Sequence, residues 1–524
     1  MSSGQRRMGG QPLFILEEDT ERTKGEDAQS SNISAGKAVS EAVRTTLGPR
    51  GMDKMLVSDD GDVVITNDGA TILGEMDIEH PAAQMIVEVA ESQEEDVGDG
   101  TTTASVLAGE LLSKAESLLD DDVHPTTIVE GYHEAAGLAQ DAIDDEVIAT
   151  DLDDDQLLKV AKSSMTGKGT GDIAGDVLAE IVVDAVRAVD GDDGVDRDAI
   201  SLQTHIGAAS SATELVEGVV VDEEPAHENM PRTVEDGAVA IIDGAIELQD
   251  SNVDAEYNVT NVDQLNAALD AEEEELRGYA ETIVDLGAEI VFTTDDIDDR
   301  VQAYLAKEGI LAFEGLSSDD LASIRSTSGA TRVSGVNALE SDDLGTASVS
   351  VESYGEDELA FVEGPEAETV TVFARGSTEH VLDEVERSLM DALDVVTAAL
   401  DKGGVVPGAG ATEIAVAAHL RDHAASIEGR KQLAVEAFAD AVDVLPRTLA
   451  ENTGMDPIDA LVDLRAAYDG GDTAGVISEG QTGSVKDPLE YGVLDPAAVK
   501  HEAVHSATEA ATMIVRIDDV ISSS

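Results

Sequence analysis

The strongest constraint on the fold is that the two ends of the chain share one sequence pattern, while the middle has another. The first third and residues 380–524 carry mainly alanine-rich helical periodicity interrupted by glycine. Residues 217–246 and 288–314 instead alternate strand-like and helical runs, which is typical of a compact α/β domain. The pattern predicts a discontinuous helical domain, built from both chain ends and split by an inserted α/β module.

Length and composition limit the class of protein. With 524 residues, of which 42% are hydrophobic, the chain is expected to form two to four packed domains. No apolar run approaches the roughly 18 residues of a membrane span, and no apolar stretch of signal-peptide length follows the N-terminus. We therefore expect a soluble cytoplasmic protein with no membrane partner. Because cysteine is absent, disulfides, thiol nucleophiles and cysteine metal ligands are excluded.

The charge balance is extreme. The chain has 31 Lys and Arg against 112 Asp and Glu, a formal net charge of −81. Such a field repels phosphate backbones, so nucleic acid is not an expected partner. Self-repulsion destabilises a compact fold in dilute salt, whereas at 1 M salt the screening length falls to about 3 Å. We therefore expect a folded protein adapted to a cytoplasm of molar salt.

Local patterns in the first third predict short elements. Apolar positions between residues 28 and 47 follow helical spacing, and Gly48-Pro49 ends that run. Residues 55–73 contain β-branched runs separated by turn sequences at 59–62 and 67–69, which predict a β-meander. Further apolar stripes predict two helices that flank a glycine loop.

That glycine loop, Gly98-Asp-Gly-Thr-Thr-Thr103, is the sharpest local signal for chemistry. Glycine allows close backbone approach to a phosphate, a helix N-terminus offers unpaired N–H groups, and threonine hydroxyls add donors. Asp99 is placed to hold Mg²⁺, which prefers one or two carboxylates together with phosphate oxygens. The alternative interpretation, a glycine turn with a threonine cap, stays open on these residues alone.

Other nucleotide and metal signals are weaker. No Gly-x-x-x-x-Gly-Lys-Ser/Thr sequence occurs, which disfavours a P-loop fold. A second glycine loop at residues 405–413 (VVPGAGATE) precedes a helical pattern and could line a nucleotide. The ten histidines include no His-Glu-x-x-His arrangement, and His80 and His419 are interpreted as structural or surface residues.

A long apolar stripe lies in the middle of the chain. It runs from Val262 through Leu276 and Ile283 to Leu286, and it crosses the acidic run at residues 272–275. The spacing predicts one amphipathic helix whose acidic residues form a solvated face.

Seven short segments, taken in order, resemble the nucleotide-site series of the group II chaperonins, the thermosome and CCT family. They are 47–54 (LGPRGMDK), 66–71 (TNDGAT), 98–103 (GDGTTT), 166–168 (TGK), 391–393 (DAL), 406–411 (VPGAGA) and 494–496 (LDP). The likeness extends from about residue 20 to residue 522. One departure is Ala409, where the family commonly has a third glycine.

The resemblance implies a role for particular residues. It assigns ATP phosphate contacts to Leu47, Gly48, Pro49, Gly100, Thr101, Thr102 and Thr103. It makes Asp99 the Mg²⁺ ligand, with K⁺ left open as a further cation, and Lys168 a sensor of the γ-phosphate. It places Gly408, Gly410 and Asp495 near ribose and base. Asp68 and Asp391 would orient and deprotonate the attacking water, a role suited to paired carboxylates in phosphoryl transfer.

The resemblance also implies an architecture. The expected fold is the multidomain chaperonin fold, with a mainly helical equatorial ATP-binding domain, a small α/β intermediate hinge domain and an inserted α/β apical domain that binds substrate. The respective ranges are 1–150 with 402–524, 151–216 with 365–401, and 217–364, with a helical lid protrusion at about 249–280. Because Asp391 would lie in the hinge, the catalytic set would be complete only after hinge closure.

The implied activity is that of an ATP-dependent chaperone. Self or paralogous subunits would form a stacked double ring of about eight subunits per ring, enclosing unfolded or partly folded polypeptides without a separate co-chaperonin lid. Two other classes remain open on the residues. One is a small-molecule kinase that uses the same glycine loops, and the other is a passive holdase that no longer uses ATP.

Overall fold

The computed structural model describes residues 20–58, 61, 63–167, 172–191, 194–248, 262–355, 357–364 and 369–523. The chain forms two compact units. The terminal unit is drawn from Met1–Val147, Val406–Tyr491 and Val499–Ser524, and the inserted unit from Ile148–Val405 and Gly492–Ala498. The finer division into three domains stays a prediction.

In the first part of the terminal unit, the residues that the structure describes form a β-hairpin and five α-helices. Its elements are β1 (Thr20–Lys24), α1 (Glu26–Val43), β2 (Lys54–Val57), β3 (Val63–Thr66), α2 (Gly69–Gly74), α3 (Pro81–Val97), α4 (Thr101–Asp120) and α5 (Pro125–Asp145). The predicted first helix is confirmed as α1, which a 3-10 turn at Arg44–Thr46 extends. Leu47 is extended, with φ −69° and ψ 128°, and ends the helical run; Gly48 then takes a left-handed conformation with φ 86°.

The predicted β-meander is wrong in its last third. Strands β2 and β3 pair antiparallel, but Gly69–Gly74 form helix α2. Asp68 Oδ2 accepts a hydrogen bond from the backbone N–H of Thr71 at 2.6 Å. The sequence Asn-Asp-Gly therefore starts a helix instead of a hairpin turn, because its aspartate serves as an N-cap.

The described residues of the inserted unit form six α-helices and two main sheets. Its helices are α6 (Asp154–Met165), α7 (Asp172–Ala188), α8 (Val262–Leu286), α9 (Asp299–Glu308), α10 (Ser318–Ser328) and α11 (Glu379–Asp401). Its strands are β4 (Asp190–Gly191), β5 (Gly194–Val195), β6 (Ile200–Ile206), β7 (Glu214–Val216), β8 (Val219–Val221), β9 (Thr233–Ile242), β10 (Ile290–Thr293), β11 (Leu311–Phe313), β12 (Arg332–Val333), β13 (Gly345–Tyr354), β14 (Asp357–Glu363) and β15 (Val370–Gly376).

The larger sheet forms the core that the α/β pattern predicts. Its strand order is β11-β10-β9-β13-β14-β8, with β12 paired to β9, and a second sheet has the order β6-β15-β7. Phe292 and Phe313 stack on neighbouring parallel strands with ring centroids 5.3 Å apart. Helix α8 packs Leu276 and Ile283 into this core, while residues 272–275 are exposed. The predicted amphipathic helix and its solvated acidic face are confirmed.

The last part of the chain is again mainly helical, as expected. Its elements are β16 (Val405–Pro407), α12 (Ala411–Ala424), α13 (Lys431–Val442), α14 (Val444–Asn452), α15 (Pro457–Asp469), β17 (Gly475–Glu479), β18 (Thr482–Lys486), β19 (Leu494–Pro496), α16 (Ala497–Val515) and β20 (Asp519–Ser523). Four more 3-10 turns occur in the inserted unit, at Arg197–Ala199, Ser210–Ala212, Val336–Ala338 and Ser341–Asp343. Strand β20 pairs antiparallel with β1, so the first and last described elements meet.

Close packing of α1 against α4 fixes the helix that begins at the glycine loop. A methyl group at Gly109 of α4 would lie 2.3 Å from Ser40 Cβ of α1. A methyl group at Gly36 of α1 would lie 2.6 Å from Leu112 Cδ1. Only glycine allows the two backbones to approach this closely.

Candidate functional site

The predicted phosphate loop joins α3 to α4 through two left-handed glycines. Gly98 ends α3 with φ 69°, and Gly100 is the N-cap of α4 with φ 84°. Asp99 lies between them, and its Oδ1 accepts a hydrogen bond from the N–H of Gly100 at 2.6 Å. Oδ2 of this half-buried side chain has no hydrogen-bond partner among the described residues. One carboxylate oxygen therefore remains for a ligand.

The helices that follow the two glycine loops lack a side-chain cap. In the same unit α2, α3 and α5 are capped by Asp68, His80 and His124, whereas α1, α13 and α14 also lack a side-chain cap. The N-cap of α4 is Gly100, and the N-cap of α12 is Gly410 with φ 84°. An uncapped helix N-terminus presents N–H donors and a positive dipole end, which together suit an anion.

Asp68 is held by hydrogen bonds from two helices. Its Oδ2 accepts from the N–H of Thr71 in α2 at 2.6 Å, and its Oδ1 accepts from Thr101 Oγ1 of α4 at 3.0 Å. Its own N–H donates to Thr66 Oγ1 at 3.1 Å. Since a carboxylate offers about four lone-pair sites, Asp68 is oriented and can still accept a further proton donor.

The threonine hydroxyls are used inside the protein. Thr101 donates to Asp68, and Thr46 Oγ1 donates to Val43 O at 2.8 Å. Thr46 and Thr102 hydroxyl oxygens lie 3.3 Å apart, so Thr102 must be the donor in that pair. In this structure the hydroxyl protons of Thr101 and Thr102 are donated within the protein, so the donors that these residues leave for an anion are their backbone N–H groups.

Gly69 is a site residue that the sequence analysis did not single out. A methyl group here would lie 2.7 Å from Thr102 Oγ1 and 2.8 Å from Thr102 N. Gly69 thus allows the first turn of α2 to lie against the first turn of α4. The signal was present, because Gly69 follows the candidate Asp68 directly.

The turn of residues 47–49, here called the first glycine turn, and the second glycine loop at residues 405–413 pack against the same side chain, Leu449. A methyl group on Gly48 would lie 2.3 Å from Leu449 Cδ2, and one on Gly410 would lie 3.4 Å from Leu449 Cδ1. Asn452, in the same helix α14, donates to Leu47 O at 2.9 Å. Residues 47–49 and the loop of Gly408 and Gly410 are therefore brought together by α14.

Ala409 occupies a backbone conformation that favours glycine, with φ 57°. Its carbonyl oxygen accepts from Val476 N at 2.8 Å. A methyl group on Gly475 would lie 2.9 Å from Ala409 Cβ. The loop keeps a glycine-like path, and Gly475 provides the space for the extra methyl group of Ala409.

Arg50, which follows the first glycine turn, forms hydrogen bonds to the β17–β18 hairpin. It donates to Ser478 Oγ at 2.9 Å, to Gln481 O at 2.6 Å and to Gly480 O. Arg50 could be predicted only as a member of a motif, because its partners lie more than 400 residues away in the chain.

The remaining site candidates lie outside this group. Asp391 is a buried carboxylate of α11, 6% exposed, and Asp495 is half-buried in β19; both belong to the inserted unit. Lys168 lies outside the described residues. Asp68, Asp99, Gly100–Thr103, Leu47–Pro49, Gly408 and Gly410 all belong to the terminal unit.

No group of three or more His, Asp or Glu side chains suited to a metal ion occurs among the described residues. A magnesium site completed by phosphate oxygens needs only one or two carboxylates. Asp99, beside an uncapped helix N-terminus, fits that requirement.

Comparison with known proteins decides the family. Residues 39–524 match the TCP-1/cpn60 chaperonin family. The chain belongs to this chaperonin family. It is 65% identical to thermosome subunit 3 of Haloferax volcanii, over 98% of each chain. It is 55% identical to thermosome subunit alpha of Halobacterium salinarum, over 98% of this chain and 92% of that one. It is 50% identical to thermosome subunit beta of Methanothermobacter thermautotrophicus, over 98% and 96%.

Family membership settles the broad activity. The chain is a chaperonin subunit, an ATP-dependent chaperone that hydrolyses ATP. The kinase and passive-holdase alternatives are set aside. The halophilic character expected from the charge is supported by the Haloferax and Halobacterium relatives. Within the part of the chain that the structure describes, no helix is both long and apolar enough to cross a membrane.

Proposed function

We propose that the terminal unit binds ATP between the uncapped starts of α4 and α12, and that Asp68 and Asp391 orient and deprotonate the water that attacks the γ-phosphate. The binding site is supported most directly by the uncapped glycine starts of α4 and α12, together with the packing of Gly48 and Gly410 against Leu449 of α14. The second glycine loop and Asp495 would contact ribose and base, and Lys168 would sense the γ-phosphate.

Asp99 would hold Mg²⁺, whose charge would offset that of the phosphates. Its free oxygen and its place beside Gly100 support this assignment. Thr101 would have two roles, because its backbone N–H would contact phosphate and its hydroxyl orients the carboxylate of Asp68. A K⁺ ion remains a proposed further cation.

Because Asp391 belongs to the inserted unit, we propose that the catalytic set is completed by hinge closure, which would gate hydrolysis. The amphipathic helix α8 would form part of a built-in lid, without a separate co-chaperonin. The tip of that proposed protrusion, residues 249–261, lies outside the described residues.

The proposed assembly is a stacked double ring, of about eight self or paralogous subunits per ring, that encloses unfolded polypeptides in the cytoplasm. The β2–β3 hairpin supports a subunit contact, because it exposes large apolar side chains. Met55 and Val57 of β2 are 66% and 64% exposed, and Met52, which lies two residues before β2, is 69% exposed. Apolar surface concentrated on one hairpin is typical of a surface that another chain covers.

The proposed catalytic role is tested by Asp391→Asn, with Glu379→Gln as a matched control on the exposed start of the same helix. We expect Asp391→Asn to retain ATP binding and to lose hydrolysis by about 10² to 10⁴-fold, the usual effect of a positioned acid–base group. Glu379→Gln should behave as wild type. Near-normal turnover in Asp391→Asn would overturn the assignment.

A further inference from the structure

The first turn of α16 contacts both glycine loops of the terminal unit. On one side it meets the loop that begins α4, and on the other it meets the start of α12. Its two contact residues, Val499 and Lys500, are consecutive in the chain.

The contact with the α4 loop is made through a buried glutamine. Gln93 is fully buried, and its Nε2 donates both to Asp99 O at 2.7 Å and to Val499 O at 3.2 Å. A methyl group on Gly100 would lie 2.8 Å from Val499 Cγ1. The backbone of Asp99 and Gly100 is therefore held against α16.

The contact with the second loop is an ion pair. Lys500 Nζ lies 2.7 Å from Glu413 Oε1, and the two side chains are 13% and 8% exposed. Glu413 is the third residue of α12, directly after the Gly410 cap. Thr412, its neighbour, closes the loop by donating to Pro407 O at 2.7 Å.

The ion pair of Lys500 and Glu413 borders one small pocket. It is lined by residues from the start of α4, α12 and α16, among them Thr103, Thr412, Glu413 and Lys500. Glu413 Oε2 is buried with no hydrogen-bond partner among the described residues. A buried ion pair is weak evidence for stability, since apolar side chains of similar size often serve the fold as well. The position of the ion pair, between the start of α12 and the first turn of α16, indicates a role other than stability.

We infer that Lys500 and Glu413 are positioning residues for ATP binding, which hold the second glycine loop at a fixed distance from the α4 loop through the first turn of α16. The inference rests on the proposed nucleotide site. Neither residue touches the reacting atoms in this account, so the pair governs ATP affinity and leaves the chemical step to Asp68 and Asp391.

The test is steady-state ATP hydrolysis in molar KCl, with Tm measured on the same samples. Lys500→Met keeps the aliphatic stem and removes the charge, and Lys431→Met is the matched control. Lys431 also forms an interhelical ion pair in this unit, with Glu134, away from both loops. We expect Lys500→Met to raise the KM for ATP about tenfold, a coupling typical of residues in contact, with kcat little changed. Lys500→Arg should restore KM, and Lys431→Met should not alter it.

The double variant Glu413→Gln, Lys500→Met separates positioning from folding. It removes both charges of the pair, so its Tm should recover relative to Lys500→Met. Its KM should stay raised, because the ion pair between α12 and α16 is absent. Recovery of KM together with Tm would overturn the inference, as would a normal KM in Lys500→Met. The proposed function is tested separately, and it fails if the Asp391→Asn variant hydrolyses ATP as fast as the wild type.

Discussion

Thr101 Oγ1 donates a hydrogen bond to Asp68 Oδ1 across 3.0 Å, and this bond joins the first turn of α4 to the cap of α2. One helix start therefore serves two purposes, because its backbone is open to an anion while its side chain orients a carboxylate. The orientation of the Asp68 carboxylate therefore depends on hydrogen bonds from both α2 and α4.

Removal of that hydroxyl should impair chemistry more than binding. We expect Thr101→Val to lower kcat by roughly ten- to a hundredfold, the effect of a misplaced catalytic group, while ATP affinity stays near wild type since the backbone N–H is kept. Thr101→Ser should restore kcat. Turnover and ATP binding by titration calorimetry check this, and an unchanged kcat in Thr101→Val would contradict it.

The close approach of α1 and α4 predicts opposite effects of the same substitution at two helical glycines. Gly109→Ala places a methyl group 2.3 Å from Ser40 Cβ, so overpacking should destabilise the unit by about 1–3 kcal/mol. Gly137→Ala in α5 meets nothing within 4 Å and should stabilise by about 0.5–1 kcal/mol. Thermal unfolding of both variants in molar KCl provides the measurement, and equal shifts would contradict the packing argument.

The left-handed backbone of Ala409 predicts how substitutions at this position change the stability of the protein. Glycine relieves roughly 1–2 kcal/mol of strain at φ 57° but adds unfolded-state entropy, so Ala409→Gly should be neutral or slightly stabilising. Ala409→Val should destabilise clearly, because β-branched residues almost never adopt positive φ. Denaturant midpoints distinguish the two outcomes, and a tolerated valine would show that the loop has another conformation.

An acidic cluster in the inserted unit should link stability to salt and pH. Burial, followed by repulsion from neighbouring carboxylates, raises the pKa of Glu223 above its usual value. The neighbours are Asp222, Asp320, Glu314 and Glu224. Because the folded state then binds a proton more tightly than the unfolded state, stability falls as pH rises from the unfolded pKa through the raised folded pKa.

Glu223→Gln removes that penalty. We expect its Tm to exceed the wild-type Tm by roughly 1–3 °C at neutral pH and 0.1 M KCl. The gain should shrink in 2 M KCl, where charges are screened, and vanish below the unfolded pKa. Glu281→Gln on the exposed face of α8 is the control. A gain that is independent of salt would exclude an electrostatic origin.

Some features of the fold could be predicted because they depend on local sequence. The long helices α1, α4 and α8 carry enough apolar periods to identify them, and the loop of Gly98 and Gly100 shows its chemistry in its residues. Helix α2 has only six residues, too few for a period. Its Asn-Asp-Gly start suits a hairpin turn and an N-cap equally, so the sequence left the choice to tertiary contacts.

The rest of the site depends on residues far apart in the chain. Thr46 meets Thr102, Gly48 and Gly410 meet Leu449, and Glu413 meets Lys500. No periodicity reports such pairs. Asp391 is one of 112 acidic residues, and composition alone would assign it to a solvated surface. Its burial distinguishes it structurally, while its proposed role came from the order of the motifs.

The most direct test of the central claim is a double-mutant cycle on single-turnover ATP hydrolysis, with Asp68→Asn, Asp391→Asn and both together. When two carboxylates act on one water in the same transition state, removing the second one costs little more once the first has been removed. We expect each single variant to bind ATP and to lose hydrolysis by about 10² to 10⁴-fold, and the double variant to be scarcely slower than the slower single one. Losses that multiply, or near-normal hydrolysis in either single variant, would contradict a shared catalytic site.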